Sequence, residues 1–238
     1  MEDNGSKMSI YVTGDMHGER SRVVQIDKEL NMGDYLIVCG DWGYIFHNTF
    51  EERRFLEDLE ARPYTILFVD GNHENFAALY EYPEEEWNGG KIHRIKKNII
   101  HLCRGQVFQI EGLKFFAFGG GYSLDRASRI PGVSWWKEEL PDLTEYEEGK
   151  KNLERHGWSV DYILTHTVNA ESIKVLAALD RYSEIKPFST DEAPLNFYLE
   201  EIRDMVEYKQ WFFGHFHRDK SIPYTRQRAL WFDIVKLN

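Results

Sequence analysis

"SIYVTGDMHG", residues 9–18, decides how the rest of the chain is read. Its apolar run is short and rich in β-branched and aromatic residues, and it ends in a glycine followed by Asp15 and His17. Such a run reads as a buried strand that delivers polar side chains at its carboxyl end. The same pattern recurs in "YLIVCGD" at 35–41, "YTILFVDGN" at 64–72, "YILTH" at 162–166 and "WFFGH" at 211–215. Between the first three runs lie amphipathic stretches. Residues 19–30 carry Val23, Val24, Ile26 and Leu30, and residues 49–61 carry Phe50, Phe55, Leu56 and Leu59; both spacings predict crossover helices. Strand, helix, strand order implies parallel pairing. In open α/β sheets the ligand crevice lies beyond the carboxyl ends of the strands, so the polar residues ending these runs are expected to converge.

The second half mixes elements. "QVFQIEGLKFFAFGGG" holds two strand-like runs around Glu111-Gly112, a hairpin signal, and "SIPYTRQRALWFDIV" reads as another hairpin. Helices are expected at 144–156, 169–179 and 194–208, and Arg126 to Leu140 reads as a long loop of the kind that often carries function. No repeat, low-complexity tract or linker interrupts the pattern, so residues 1–238 are expected to form a single domain, with residues 1–7 a flexible tail.

The totals exclude several classes. Apolar residues make up 42% and aromatics 15%, and no run of about 18 apolar residues occurs, which fits neither a disordered nor a membrane-spanning chain. The polar start "MEDNGSK" does not resemble a secretory signal, so a cytoplasmic location and no membrane partner are expected. Cys39 and Cys103 lie in separate apolar stretches and read as free thiols. A net charge of −11 opposes extended nucleic-acid binding, though a local positive site remains compatible with it.

Collecting the residues at the strand ends yields Asp15, His17, Asp41, Asn72, His73, His166, His215 and His217. Oxygen and imidazole donors without thiolate suit manganese, iron, cobalt or zinc rather than copper(I) or calcium. The set is too large for one ion, and two ions sharing one carboxylate would use it. His215 and His217 alone say little, since an HxH pair is also a common surface arrangement; they project to one face if the strand persists that far.

In order, GDMHG (14–18), GD (40–41), GNHE (71–74), the isolated His166 and GHFH (214–217) closely resemble the signature of calcineurin-like metallophosphoesterases, in particular bacterial and phage-type metallophosphatases. The resemblance implies an α/β fold, a four-layer α/β/β/α sandwich with two mixed β-sheets. It implies a dinuclear centre of divalent or trivalent ions, manganese first and iron, zinc or cobalt as alternatives. Asp15, His17 and His217 would hold one ion, Asn72, His166 and His215 the other, and Asp41 would bridge them. His73 matches the family's catalytic histidine, either stabilising the phosphoryl oxygens or protonating the leaving group. The implied chemistry is hydrolysis of a phosphorylated substrate by metal-bound hydroxide attacking phosphorus. A nuclease or a cyclic or dinucleotide phosphodiesterase of the same fold is the alternative, and a non-catalytic metal-binding module is a third reading.

The chain departs from the protein Ser/Thr phosphatase branch, whose second motif runs GDxVDRG; here "GDWGYIF" (40–46) places Tyr44 and Ile45 where that branch has aspartate and arginine. Glu74 is either a replacement carboxylate or a solvated residue at a helix start. Within the 122–140 loop, Arg126 and Arg129 are candidate phosphate ligands, with a surface or capping role as the alternative. Of Trp135 and Trp136, one is expected in the core, because neighbours in an extended segment face opposite ways. His47, His93, His101 and His156 match no motif, and "EYPEEEW" reads as a solvated face.

Overall fold

Side-chain alternation along the strands builds three apolar layers. The computed structural model describes residues 8–179 and 190–237; the expected tail at 1–7 lies outside them. Six strands come first: β1 (Ile10–Thr13), β2 (Tyr35–Cys39), β3 (Thr65–Val69), β4 (Glu84–Trp87), β5 (Gly90–Lys96) and β6 (Ile99–Leu102). Six more follow: β7 (Gln106–Ile110), β8 (Leu113–Phe118), β9 (Tyr162–Thr165), β10 (Gln210–Phe213), β11 (Lys220–Ser221) and β12 (Gln227–Ala229). A last strand, β13 (Val235–Lys236), returns to the first sheet. The helices are α1 (Arg20–Ile26), α2 (Phe50–Glu60), α3 (Phe76–Leu79), α4 (Leu143–Arg155), α5 (Ala170–Leu179) and α6 (Ala193–Met205).

One sheet runs β13-β1-β2-β3-β6-β5-β4 and the other β11-β12-β10-β9-β8-β7. Both are mixed: β1, β2, β3 and β6 are parallel, as are β8, β9, β10 and β12, and the remaining pairs are antiparallel. Period two along each strand sends alternate residues to opposite faces. Leu36 and Val38 of β2 pack with Val23, Ile26, Leu56 and Leu59 of α1 and α2, whereas Ile37 and Cys39 turn to the layer between the sheets. There they meet Phe115, Ala117 and Leu164 of the second sheet. Phe116, Phe118 and Ile163 face the other way, onto α4, α5 and α6. The result is the α/β/β/α sandwich expected from the sequence.

The Glu111-Gly112 hairpin forms, with both residues at positive φ (51° and 79°), as a two-residue turn matched to strand twist demands. The C-terminal hairpin is β11 with β12. Helix α1 ends at Ile26 rather than near residue 30, because the chain turns there while still burying Leu30; Asp34 accepts the backbone N–H of Asn31 and of Ser9.

The stretch 84–102 differs most from expectation. The acidic run is not merely a solvated face: Glu84–Trp87 is the edge strand β4, paired to β5 across Asn88-Gly89. Its residues alternate between exposed and half-buried with none fully buried, so glutamates occupy both faces, and charge on an outermost strand discourages pairing with other chains. Among the described residues no helix is long and apolar enough to cross a membrane.

Candidate metal centre

The strand ends converge as the motif spacing predicts, but the backbone achieves it outside the strands. β10 stops at Phe213, so His215 and His217 are not successive inward positions of one strand. Both have left-handed backbone (φ 68° and 49°), as do Asp15 (42°), His17 (49°) and Asp41 (49°). Left-handed conformation is unfavourable for residues with a Cβ and concentrates at functional sites. Glycine clears the space: a Cβ on Gly71 would lie 2.1 Å from Asp41 Oδ1, and one on Gly40 2.1 Å from His166 Nδ1.

Two groups meet at Asp41. In the first, His17 Nε2 and His217 Nε2 face each other at 2.8 Å, Asp41 Oδ2 is 3.7 Å from His17 Nε2, and Asp15 Oδ1 is 3.8 Å from His217 Nε2. One ligand atom from each of Asp15, His17, Asp41 and His217 lies within 4.8 Å of the others. In the second, His166 Nε2 is 3.4 Å from Asp41 Oδ1, 3.0 Å from Asn72 Oδ1 and 3.2 Å from His215 Nδ1. The two C-terminal imidazoles therefore diverge, His217 to the first group and His215 to the second.

Surrounding hydrogen bonds turn the lone pairs inward. His166 Nδ1 donates to the Cys39 carbonyl at 3.0 Å, which leaves Nε2 as an acceptor towards the cluster. Asn72 Nδ2 donates to Ser123 Oγ at 3.2 Å, so its Oδ1 faces His166; the Ser123 hydroxyl donates in turn to Glu139 Oε2 at 2.8 Å. Trp231 stacks on His217 (5.1 Å between centroids, 18°).

Electrostatics agree with a cation site. Asp15 and Asp41 are both buried. Burial and the Asp41 charge push the Asp15 carboxyl well up, while in Asp41 burial is outweighed by His166, His73 and His17, which hold it low. Burial lowers His166 and His217 to about 4, keeping them as the neutral imidazoles that bind metals. Asp15 Oδ2 is buried with no hydrogen-bond partner. A buried carboxylate oxygen lacking a donor, in a cluster whose His166 and His217 are held neutral, fits divalent cations of the borderline type.

The remaining predicted residues border this cluster. The His73 backbone N–H donates to Asp41 Oδ1 at 2.7 Å, and its ring lies edge-on to His17 at 5.1 Å. Arg129 Nη2 lies 3.0 Å from His73 Nε2, while its Nε pairs with Asp125 at 2.8 Å. Burial, aided by Arg129 and opposed by Asp41, lowers His73. Arg126 is held differently: it pairs with the fully buried Glu139 at 2.7 Å, between the rings of Tyr122 and Trp135. Trp136 is the member of its pair that enters the core.

The sequence left one supporting residue undecided and missed others. Glu74 is not solvated; it is fully buried and accepts the backbone N–H of Trp42 at 2.7 Å and of Gly43 at 3.4 Å. Its only sequence signal is its place in GNHE. Arg22, on an amphipathic helix where arginine usually faces water, is buried and donates to the Asp15 and Gly14 carbonyls and to Thr13 Oγ1. Glu192 lies 3.6 Å from His215 Nε2 and accepts the Tyr122 backbone N–H. Nothing local distinguishes either from an exposed charge.

Two layered mixed sheets, with carboxylates and imidazoles gathered at the carboxyl ends of their strands, define an α/β metal-binding protein. The sequence profile of the calcineurin-like phosphoesterase family matches residues 8–219, and the chain belongs to that family. It is 28% identical over 142 residues to a lariat debranching enzyme of Drosophila pseudoobscura pseudoobscura, covering 48% of this chain and 24% of that one. It is 26% identical over 141 residues to a lariat debranching enzyme of Caenorhabditis briggsae, covering 51% and 26%. The match thus spans about a quarter of the length of these curated relatives. A phosphopantetheinyl hydrolase of Mycobacterium tuberculosis resembles 94% of this chain and 88% of its own with a TM-score of 0.44 and 15% identity.

Proposed function

We propose that this chain hydrolyses phosphoesters with two metal ions. The observation that carries the reading is the position of Asp41, whose two carboxylate oxygens face different groups, Oδ2 towards His17 at 3.7 Å and Oδ1 towards His166 at 3.4 Å. Asp15, His17 and His217 would hold one ion, Asn72, His166 and His215 the other, and Asp41 both. Paired divalent ions supply charge to clamp phosphoryl oxygens and to acidify bound water.

The protein's own groups do the rest. His166 and Asn72 are locked by the Cys39 carbonyl and by Ser123, so neither must reorient on binding. Beside Asp41, Arg129 Nη2 donates to the neutral His73 ring, and the N–H groups the pair has left are suited to the non-ligated oxygens of a phosphoryl group. Arg126 acts one step back, neutralising Glu139, which holds Ser123 against Asn72. A purely structural module would have no use for His73 and Arg129 meeting at this place.

The test is hydrolysis of para-nitrophenyl phosphate and of its bis ester, with manganese(II) first and iron, zinc and cobalt in parallel. Turnover that needs metal and is lost in Asp41→Asn is expected; preference for the bis ester would move the reading to a phosphodiesterase or nuclease. A metal-loaded protein inert towards every phosphoester offered would sink it.

A further inference from the structure

A second group of metal-binding side chains lies on the first sheet, apart from the strand-end cluster. His101 lies in β6 and Cys103 one residue beyond its end, where the Cys103 backbone N–H still donates to the Lys91 carbonyl of β5 at 3.1 Å; His93 of β5 stands directly opposite His101 in the antiparallel register. The two imidazoles stack at 5.5 Å with 13° between planes. One nitrogen of each ring and Cys103 Sγ all lie within 4.8 Å of one another.

Hydrogen bonds settle which nitrogens are free. His93 Nδ1 is 2.8 Å from the Tyr82 carbonyl, which can only accept, so Nδ1 carries the proton and Nε2 the lone pair. His101 Nε2 is 3.1 Å from Asp70 Oδ1. Asp70 also accepts from Arg104 Nε at 2.9 Å, and although burial alone would raise its carboxyl, Arg104 and His101 hold it low. A carboxylate on Nε2 assigns the proton there and leaves Nδ1 as the lone pair. His101 is 2% exposed, and its Nδ1 is buried with no hydrogen-bond partner. Histidine oriented by a carboxylate or carbonyl on its far nitrogen is the usual second-shell arrangement around zinc.

The side chains border a cavity of about 180 Å³. Around it Asp70, Glu84, Glu145 and Glu148 outnumber Lys91 and Arg104, which favours a cation. We propose that His93, His101 and Cys103 form a separate metal site, taking Zn²⁺ with two imidazoles and one thiolate and a fourth position open to the cavity. Two nitrogens and one sulfur are a softer donor set than the oxygen and imidazole donors of the strand-end cluster, so this site favours the softer ion. Cys103 binds as thiolate, its proton leaving to solvent as the metal–sulfur bond forms.

The proposal stands independently of phosphoester hydrolysis, and its readout is spectroscopic. Metal-free full-length protein titrated with Co²⁺ is expected to develop a near-ultraviolet thiolate-to-cobalt charge-transfer band that Zn²⁺ displaces and that Cys103→Ser loses. Absence of the band in wild type, or its survival in Cys103→Ser, overturns the site. Should Cys103→Ser fold poorly, alkylation of Cys103 in wild-type protein, followed by mass spectrometry, replaces it. Zn²⁺ is expected to block that reaction and His93→Gln to restore it; an unchanged rate in wild type with Zn²⁺ overturns the site.

Discussion

Glu74 accepts the backbone N–H of Trp42 at 2.7 Å and that of Gly43 at 3.4 Å, so a carboxylate from the turn after β3 holds the turn after β2. Asp41 enters that turn at φ 49°. Glu74→Ala leaves the buried Trp42 amide without an acceptor, at about 1–3 kcal/mol, frees the half-buried Gly43 amide as well, and releases Asp41. Metal affinity is expected to fall by about 10- to 100-fold, the usual effect of losing a supporting partner. Glu74→Gln, which keeps one acceptor, should lose less. Calorimetric metal titration of both variants checks this; equal affinity in wild type and Glu74→Ala would refute it.

Ser123 fixes the Asn72 amide. In Ser123→Ala the amide can turn its nitrogen towards His166, so one ion should be held about tenfold more weakly while the other is unaffected. Metal content after stepwise dialysis distinguishes loss of one ion from loss of both.

The two loop arginines should separate by assay. Arg129 lies 3.0 Å from the His73 ring and pairs with the exposed Asp125, so Arg129→Ala is expected to raise KM about tenfold with little change in melting temperature. Arg126→Ala leaves Glu139 buried without its cation and should cost about 1–3 kcal/mol of stability. Steady-state kinetics and urea unfolding on both variants decide; the reverse assignment would exchange their roles.

Asp161 provides a stability test away from the site. Burial, which alone would raise its carboxyl, is outweighed by the Lys114 backbone N–H at 2.7 Å and by Lys209, so its pKa is lowered. A lowered carboxylate contributes stability above its unfolded value, about 3.9, and loses it as pH falls through the folded value. Asp161→Asn should therefore unfold at slightly lower urea at pH 7, the effect being small for so accessible a pair, with the gap closing as pH drops below about 3.9. A gap that persists in acid would rule out the ionic origin.

How much was legible follows from where each signal resides. The first three strands, the Glu111-Gly112 turn and the polar residues at strand ends were legible because each rests on a local rule, period two or glycine at a turn. β4 was obscured because an edge strand carries the charges of a solvated segment. Glu74 and Arg22 were obscured because burial of a charge depends on donors and acceptors supplied by other loops.

The sequence by itself determined the strand-and-helix order and the donor types gathered at the strand ends, since backbone periodicity and glycine placement are encoded residue by residue. The family resemblance already implied the grouping of His217 with His17 and of His215 with His166; only the tertiary structure decided that His215 turns Nδ1 and His217 Nε2 to those partners, and that His166 presents Nε2 because its Nδ1 reaches Cys39, 127 residues away. Tautomer, side-chain orientation and the pairing of buried charge are properties of the partner across the fold, and no stretch of chain contains its own partner.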